Sequence, residues 1–201
     1  MDIGDVPTLV GRIHSTVNRI YGYSLAVLQP SYLPWLGFLE QFASVENFVF
    51  LDDVQYDKNG WRNRNRIITN GEVRWLTVPV KSSMHLRLNE VVIANDQKWA
   101  ARHLSTIRHS YRKSAGLEEI LAFLEPILLN RPENLCHLNM ELLMTLHTRL
   151  NLRSSVHVSS ELNLGGVGTE RLLRLCKHFN AETYLTGPAA RAYLDAEALR
   201  A

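Results

Sequence analysis

Two short apolar runs, residues 25–28 and 48–51, are each cut off by a polar pair, Gln29-Pro30 and Asp52-Asp53. Between them Leu36, Leu39 and Phe42 recur at helical spacing, which predicts strand, loop, helix and strand, with the helix over residues 35–42. A helical crossover makes the two strands parallel. The pattern then changes. Residues 66–69 and 72–80 flank Asn70-Gly71, a pair that readily adopts the positive φ values of a type I′ turn, so a β-hairpin is predicted there. Pro79 has no N–H to give a ladder, so its strand is an edge strand or ends at that point. Residues 86–93 alternate and predict a third extended segment.

Helical spacing dominates afterwards. Asp96 can cap a helix over residues 97–111, residues 116–129 predict a shorter one, and Pro132 opens a third that lines up Leu135, Leu138, Leu142, Leu146 and Leu150. A strand at 155–158, a loop to Gly168 capped by Thr169, a helix over 169–179 and a strand at 183–186 make a second parallel βαβ unit. The fold class that follows is α/β, a mainly parallel open sheet with flanking helices and an inserted β-hairpin region. Residues 1–24 read as a leader extension, with a short helix around residues 9–20, and residues 25–201 as a single α/β domain.

The chain has 201 residues, 46% of them hydrophobic and 21% charged, enough apolar side chain for a real core. Its 22 basic and 20 acidic side chains nearly cancel, which argues against nucleic acid or an anionic membrane as a partner chosen by bulk charge. Residues 21–39 carry no charge but are broken by Pro30, Pro34, Gly22 and Gly37, so they predict a buried strand and a loop, with no membrane insertion. Asp2 and Asp5 have the wrong charge for a signal peptide, and the two cysteines, Cys136 and Cys176, form neither a Cys-x-x-Cys pair nor a disulfide framework. A cytoplasmic location is expected, with both cysteines serving as core side chains.

In open α/β sheets, ligands collect beyond the carboxyl ends of the strands. Four such ends are Gln29-Pro30, Asp52-Asp53, Ser159-Ser160-Glu161 and Thr186-Gly187. Adjacent Asp52 and Asp53 point to opposite sides of an extended backbone, so one of them at most meets a ligand, orienting a hydroxyl or acting as a base. No second carboxylate at metal-site spacing accompanies them, and neither a metal nor a cofactor is expected. Arg62, Arg64 and Arg66 alternate with asparagines; if extended they form one row of bidentate donors for phosphate or carboxylate, with Lys81 adding from across the hairpin. The competing reading is an edge strand protected by charge. His103 lies one helical turn from Trp99 and serves either as an acid–base group in a cleft or as a satisfied core histidine. Gly165-Gly166-Val167-Gly168 precedes a helix as phosphate loops do, but matches neither the Walker nor the dinucleotide fingerprint.

Several strings, in order, carry a family resemblance: Leu28-Gln29-Pro30, Leu33-Pro34-Trp35-Leu36-Gly37, Asp52-Asp53-Val54-Gln55-Tyr56, Gly60-Trp61-Arg62-Asn63-Arg64-Asn65-Arg66-Ile67, Trp75-Leu76-Thr77-Val78-Pro79-Val80, Trp99 with His103-Leu104, and Tyr184-Leu185-Thr186-Gly187-Pro188. Over roughly residues 25–194 the chain resembles the WbqC-like protein family. The resemblance implies a bacterial protein associated with O-antigen and other surface-polysaccharide gene clusters, and it assigns no reaction. Members usually continue through another strand-and-helix segment, so that C-terminal segment is expected to be lacking here.

The preferred expectation is a group-transfer enzyme that moves an acyl or aminoacyl group and acts on an activated amino sugar or related metabolite in surface-polysaccharide biosynthesis. Asp52, Asp53 and His103 are its candidate catalytic residues. Substrate contacts are assigned to Gln29, Tyr32, Trp35, Gln55, Trp61, Arg62, Asn63, Arg64, Lys81, Thr186 and Gly187. The partner is a small molecule, either a nucleotide sugar or an acyl donor. A nucleotidyltransferase-like enzyme is the second reading, weakened because no His-x-Gly-His follows Leu28. The third is a non-catalytic binding or scaffold protein anchored through exposed Trp35 and Tyr32.

Overall fold

The computed structural model describes residues 23–81, 84–95, 98–188, 190, 194, 195 and 197–199. The expected leader, apart from residues 23 and 24, lies outside them, as does the expected Asp96 cap. The chain divides into two compact units. One takes residues up to 28, then 35–51 and 147 onward; the other takes 29–34 and 52–146.

The first unit is built on a parallel sheet of β1 (Ser24–Leu28), β2 (Asn47–Phe50), β5 (Ser155–Val158) and β6 (Thr183–Leu185), in the order β5-β2-β1-β6. Pairing runs Leu25↔Asn47, Asn47↔Ser155 and Ser24↔Thr183, so all four strands end at one edge of the sheet. The helix α1 (Leu36–Ser44) joins β1 to its neighbour β2, while α5 (Gly168–His178) carries the chain from β5 at one edge to β6 at the other. These crossovers run in opposite directions, and the right-handed rule then lays their helices on opposite faces. Side chains agree with this. Phe48 and Phe50 of β2 meet Phe42 of α1 with ring centroids 4.3 and 5.8 Å apart, whereas Leu25, Val27 and Val49 form a separate core with Leu172 and Leu175 of α5. The second βαβ unit is therefore parallel as expected, but its two strands are not neighbours. Helix α5 begins at Gly168, with Val167 rather than Thr169 at its cap; Gly166, at φ +98°, brings the loop so close to Arg171 that a Cβ there would stand 3.2 Å from its backbone nitrogen. The close approach of the Arg171 backbone thus accounts for Gly166 in this loop.

The second unit holds the hairpin β3 (Arg64–Thr69) and β4 (Glu72–Thr77), with 2 left-handed residues at the turn, Asn70 at φ 51° and Gly71 at φ 79°. Pro79 lies beyond the ladder, where no N–H is required. Helices α2 (Trp99–Ser110), α3 (Leu117–Leu129) and α4 (Leu135–Arg149) follow, the last turn of α4 belonging to the sheet unit from His147 on. The core gathers Ile67 and Leu76 of the hairpin with Leu104, Ile107, Leu121, Leu124 and, from the predicted leucine stripe, Leu135, Leu138, Leu142 and Leu146 of α4, while Leu150 falls past the helix end in the sheet unit.

Residues 86–93 are a correction to the sequence reading: instead of one strand, a 3-10 turn at Leu88–Glu90 divides them. The backbone partners explain the break. Leu86 and Leu88 bond to Tyr56 and Val54 on one side, Ile93 and Leu135 to the 133 and 91 carbonyls on the other, and the Glu90 carboxylate accepts from the Arg87 N–H at 2.8 Å to close the turn. No described helix is long and apolar enough to cross a membrane.

Candidate functional site

Within the hairpin-bearing unit, residues 29–34 form a loop whose polar groups are taken up one by one. Arg62 reaches the Gln29 carbonyl and side chain at 3.4 and 3.2 Å. Asn139, fully buried on the leucine face of α4, donates to the carbonyls of Pro30 at 3.1 Å and Arg62 at 2.8 Å. The Tyr32 N–H donates to the Trp61 carbonyl at 3.2 Å, and Asn65 donates to Tyr32 and closely to Leu33. Burying this many backbone groups is tolerable only because each finds a partner.

That loop explains the alternation of arginine and asparagine. Asn63 is buried and donates to the Val78 carbonyl at 3.0 Å, and Asn65 braces residues 32–33, so the asparagines are structural. The opposite parity carries Arg64 and Arg66 onto the hairpin's other face, beside Trp61 and Trp75. Arg62 leaves the expected row, because the ladder begins only at the Arg64↔Thr77 pair and its side chain is drawn to Gln29.

Tyr32 is a correction. Assigned as a substrate contact, and in the scaffold reading expected as an exposed anchor, it is fully buried, edge-on to Trp99 at 6.5 Å, and its hydroxyl meets Nδ1 of His103 at 2.9 Å. Burial raises the Tyr32 pKa. His103 is only 6% exposed, and burial lowers its pKa to about 4 against the opposing pull of the Thr77 backbone, with the Arg102 charge adding to the drop. The imidazole is therefore neutral at pH 7, which limits it as an acid.

Asp52 is also buried, its Oδ2 accepting from Asn89 at 3.0 Å; the Asn89 carbonyl in turn accepts from Asn134 at 2.7 Å. Its charge raises the pKa of nearby Cys136, a thiol that burial has already pushed up, to about 12. Asp53 is half-buried, in keeping with the expected opposition of the pair. Trp35, Thr186 and Gly187 belong to the sheet unit. Trp35 precedes α1 with its ring folded over Gly37, where a Cβ would come within 2.1 Å of it, and Thr186 and Gly187 follow the end of β6.

A cavity of about 460 Å³ lies between residues 55–58 and Val80, Lys81, Met84 and His85. It brings together predicted Gln55 and Lys81 with Tyr56, Asp57, Lys58 and His85. The arginine pair and Asp52-Asp53 are not in its lining. Lys58 and Lys81 outweigh Asp57, so the wall favours an anion. Tyr56 is 5% exposed, and its hydroxyl has no hydrogen-bond partner among the described residues. Burial first, and Asp57 second, push its pKa up to about 12 while Arg64 pulls it back, so the Arg64 charge is felt at the cavity wall. Among the described residues no three His, Cys, Asp or Glu side chains gather to hold a metal ion.

Sequence reasoning passed over Lys58 and His85, which come from two loops that only the fold brings together. It also passed over Asn139, whose signal was a polar residue inside an otherwise apolar helical face.

Comparison with known proteins accords with the motif pattern. The Mycobacterium tuberculosis (strain ATCC 25618 / H37Rv) protein Rv1507c, itself described as uncharacterized, is 37% identical over 174 residues, covering 85% of this chain and 75% of that protein. No solved structure matches. A sequence profile of the WbqC-like protein family matches residues 29–201, a span that contains the loop, the hairpin, the cavity and the sheet's later strands, and the chain belongs to that family.

Proposed function

We propose that the protein is a group-transfer enzyme that moves an acyl or aminoacyl group and acts on an activated amino sugar or related metabolite during assembly of bacterial surface polysaccharide. The observation that carries this reading is the cavity of about 460 Å³ with Lys58 and Lys81 in its wall, a size typical of small-molecule sites and a charge suited to an activated, anionic substrate. In such a transfer the acceptor amine bonds to the donor's acyl carbon, the bond from that carbon to the leaving group breaks, and the amine proton passes to a base. Neither acidic residue lines the cavity; with Asp52 buried and held by Asn89, Asp53 is the one of the pair left to orient the acceptor from outside that lining. His103, neutral and bonded to Tyr32, positions the loop at residues 29–34.

Thermal-shift screening against nucleotide sugars and acyl donors tests the reading, because a ligand that binds only the folded chain raises its melting temperature. At least one activated donor is expected to stabilise the protein, and Lys58→Ala with Lys81→Ala to remove most of that shift. If no donor of either class shifts the melting temperature, the reading is wrong.

A further inference from the structure

The outward face of the hairpin holds chemistry that the cavity does not use. Cross-strand register sets Arg66 opposite Trp75 and Arg64 opposite Thr77, so Arg64, Arg66 and Trp75 share one face. Trp61, from the turn before β3, sets its ring 5.5 Å from that of Trp75 at 45°. The Arg64 guanidinium carbon lies 4.2 Å from the Trp75 centroid, and that of Arg66 lies 5.2 Å from Trp61 and 5.8 Å from Trp75. The two indoles remain 39% and 45% exposed. Among the described residues neither guanidinium has a carboxylate partner or donates a hydrogen bond, and the Arg64 Nε is buried with no acceptor.

Two cations two residues apart on one strand repel each other, and among the described residues no carboxylate pairs with either. What holds them is stacking, worth about 0.5–2 kcal/mol for each guanidinium over an indole. A stacked guanidinium has already given up most of its rotamer freedom, so its planar fork meets an anion at little further entropic cost. The pair thus asks for a ligand with at least two adjacent negative charges. The partly exposed indoles ask, on the same face, for an attached flat ring.

A diphosphate joined to a nucleobase supplies both. We infer that Arg64, Arg66, Trp61 and Trp75 form a binding site for the nucleoside diphosphate portion of the substrate, separate from the cavity that takes the reacting portion. Assigning this ligand to a substrate rests on the group-transfer reading; the binding itself does not. Arg64 links the two places, since it stacks on Trp75 and its charge acts on Tyr56 in the cavity wall.

Isothermal titration calorimetry with ADP, UDP, adenosine and inorganic pyrophosphate tests the site. Saturable binding of ADP or UDP is expected, with adenosine and pyrophosphate each at least about tenfold weaker, because each keeps only one of the two kinds of contact. Arg66→Ala and Trp75→Ala, both at exposed positions, should each weaken nucleoside diphosphate binding about tenfold or more without lowering the thermal midpoint much. Trp75→Phe, which keeps a ring, should recover part of the loss.

Unchanged affinity in both Arg66→Ala and Trp75→Ala overturns the inference. Pyrophosphate binding as tightly as ADP overturns it too, leaving a plain anion site, and so does tight binding of a single-stranded oligonucleotide with none of ADP or UDP. If Lys81→Ala abolishes ADP binding while the hairpin variants do not, the nucleotide sits in the cavity; the inference then fails and the group-transfer reading stands. Hairpin-dependent ADP binding, with no nucleotide sugar or acyl donor giving a melting-temperature shift that depends on Lys58 and Lys81, gives the reverse result.

Discussion

Acidification should destabilise this protein through His103 in particular. In the folded chain its pKa is lowered to about 4, chiefly by burial, against 6.5 for an ordinary histidine. Folding therefore favours the neutral ring. Above pH 6.5 both states are neutral there and the group has no effect on stability; between pH 6.5 and 4 the unfolded chain binds the extra proton, so stability falls as pH falls. Each pH unit of separation is worth about 1.36 kcal/mol, which gives a total loss of about 3 kcal/mol once pH has dropped below both values. That is a large share of the ~5–15 kcal/mol available to a typical domain.

The measurement is urea unfolding at about pH 7 and about pH 4.5, on the wild type and on His103→Gln, whose amide can still bond to the Tyr32 hydroxyl. His157, also lowered by burial and then by the His178 charge, pulls in the same direction, so the informative quantity is the difference between the two proteins. The wild type should lose about 2–3 kcal/mol more than the variant across that interval. Equal losses would refute the reasoning, as would an imidazole NMR titration placing His103 near 6.5 in the folded chain.

Two further outcomes follow from buried contacts. Asn139→Ala strips the Pro30 and Arg62 carbonyls of their donor while also removing an Oδ1 that has no partner of its own, for a net loss of about 2–4 kcal/mol in urea unfolding; a loss under about 0.5 kcal/mol would contradict the bracing role. Cys136, its thiol pushed up to about 12, should resist alkylation at about pH 8 until the protein unfolds, whereas half-buried Cys176 reacts first; peptide mass spectrometry reads the order, and early labelling of Cys136 would contradict its burial.

Much of the sheet was legible because its strands are short apolar runs cut off by polar pairs, and Asn70-Gly71 declared its turn through the φ values it accepts. The leucine stripe of α4 was equally plain, since a periodic face needs only local reading. Other features depended on partners distant in sequence. Residues 86–93 alternate like a strand, yet their backbone bonds are divided between residues 52–56 and the 133–135 region, which a period-two pattern does not record. Arg62 matches the parity of Arg64 and Arg66 and still departs from them, because Gln29, 33 residues away, supplies its acceptors. Tyr32 sits among Ser31, Pro34 and other loop-forming residues that suggested exposure, but His103 and Trp99 enclose it. The cavity was half visible: Gln55 and Lys81 were singled out, and Lys58 and His85 join them only through the fold.

The most direct test of the account is a crystal structure of the protein with whichever activated donor raises its melting temperature most. The donor's reacting portion is expected in the cavity lined by residues 55–58 together with Val80, Lys81, Met84 and His85, with one of its oxygens within hydrogen-bond reach of Lys58 or Lys81. A donor found instead only at the ends of the sheet strands beside Ser159 and Thr186, with the cavity empty, would contradict it.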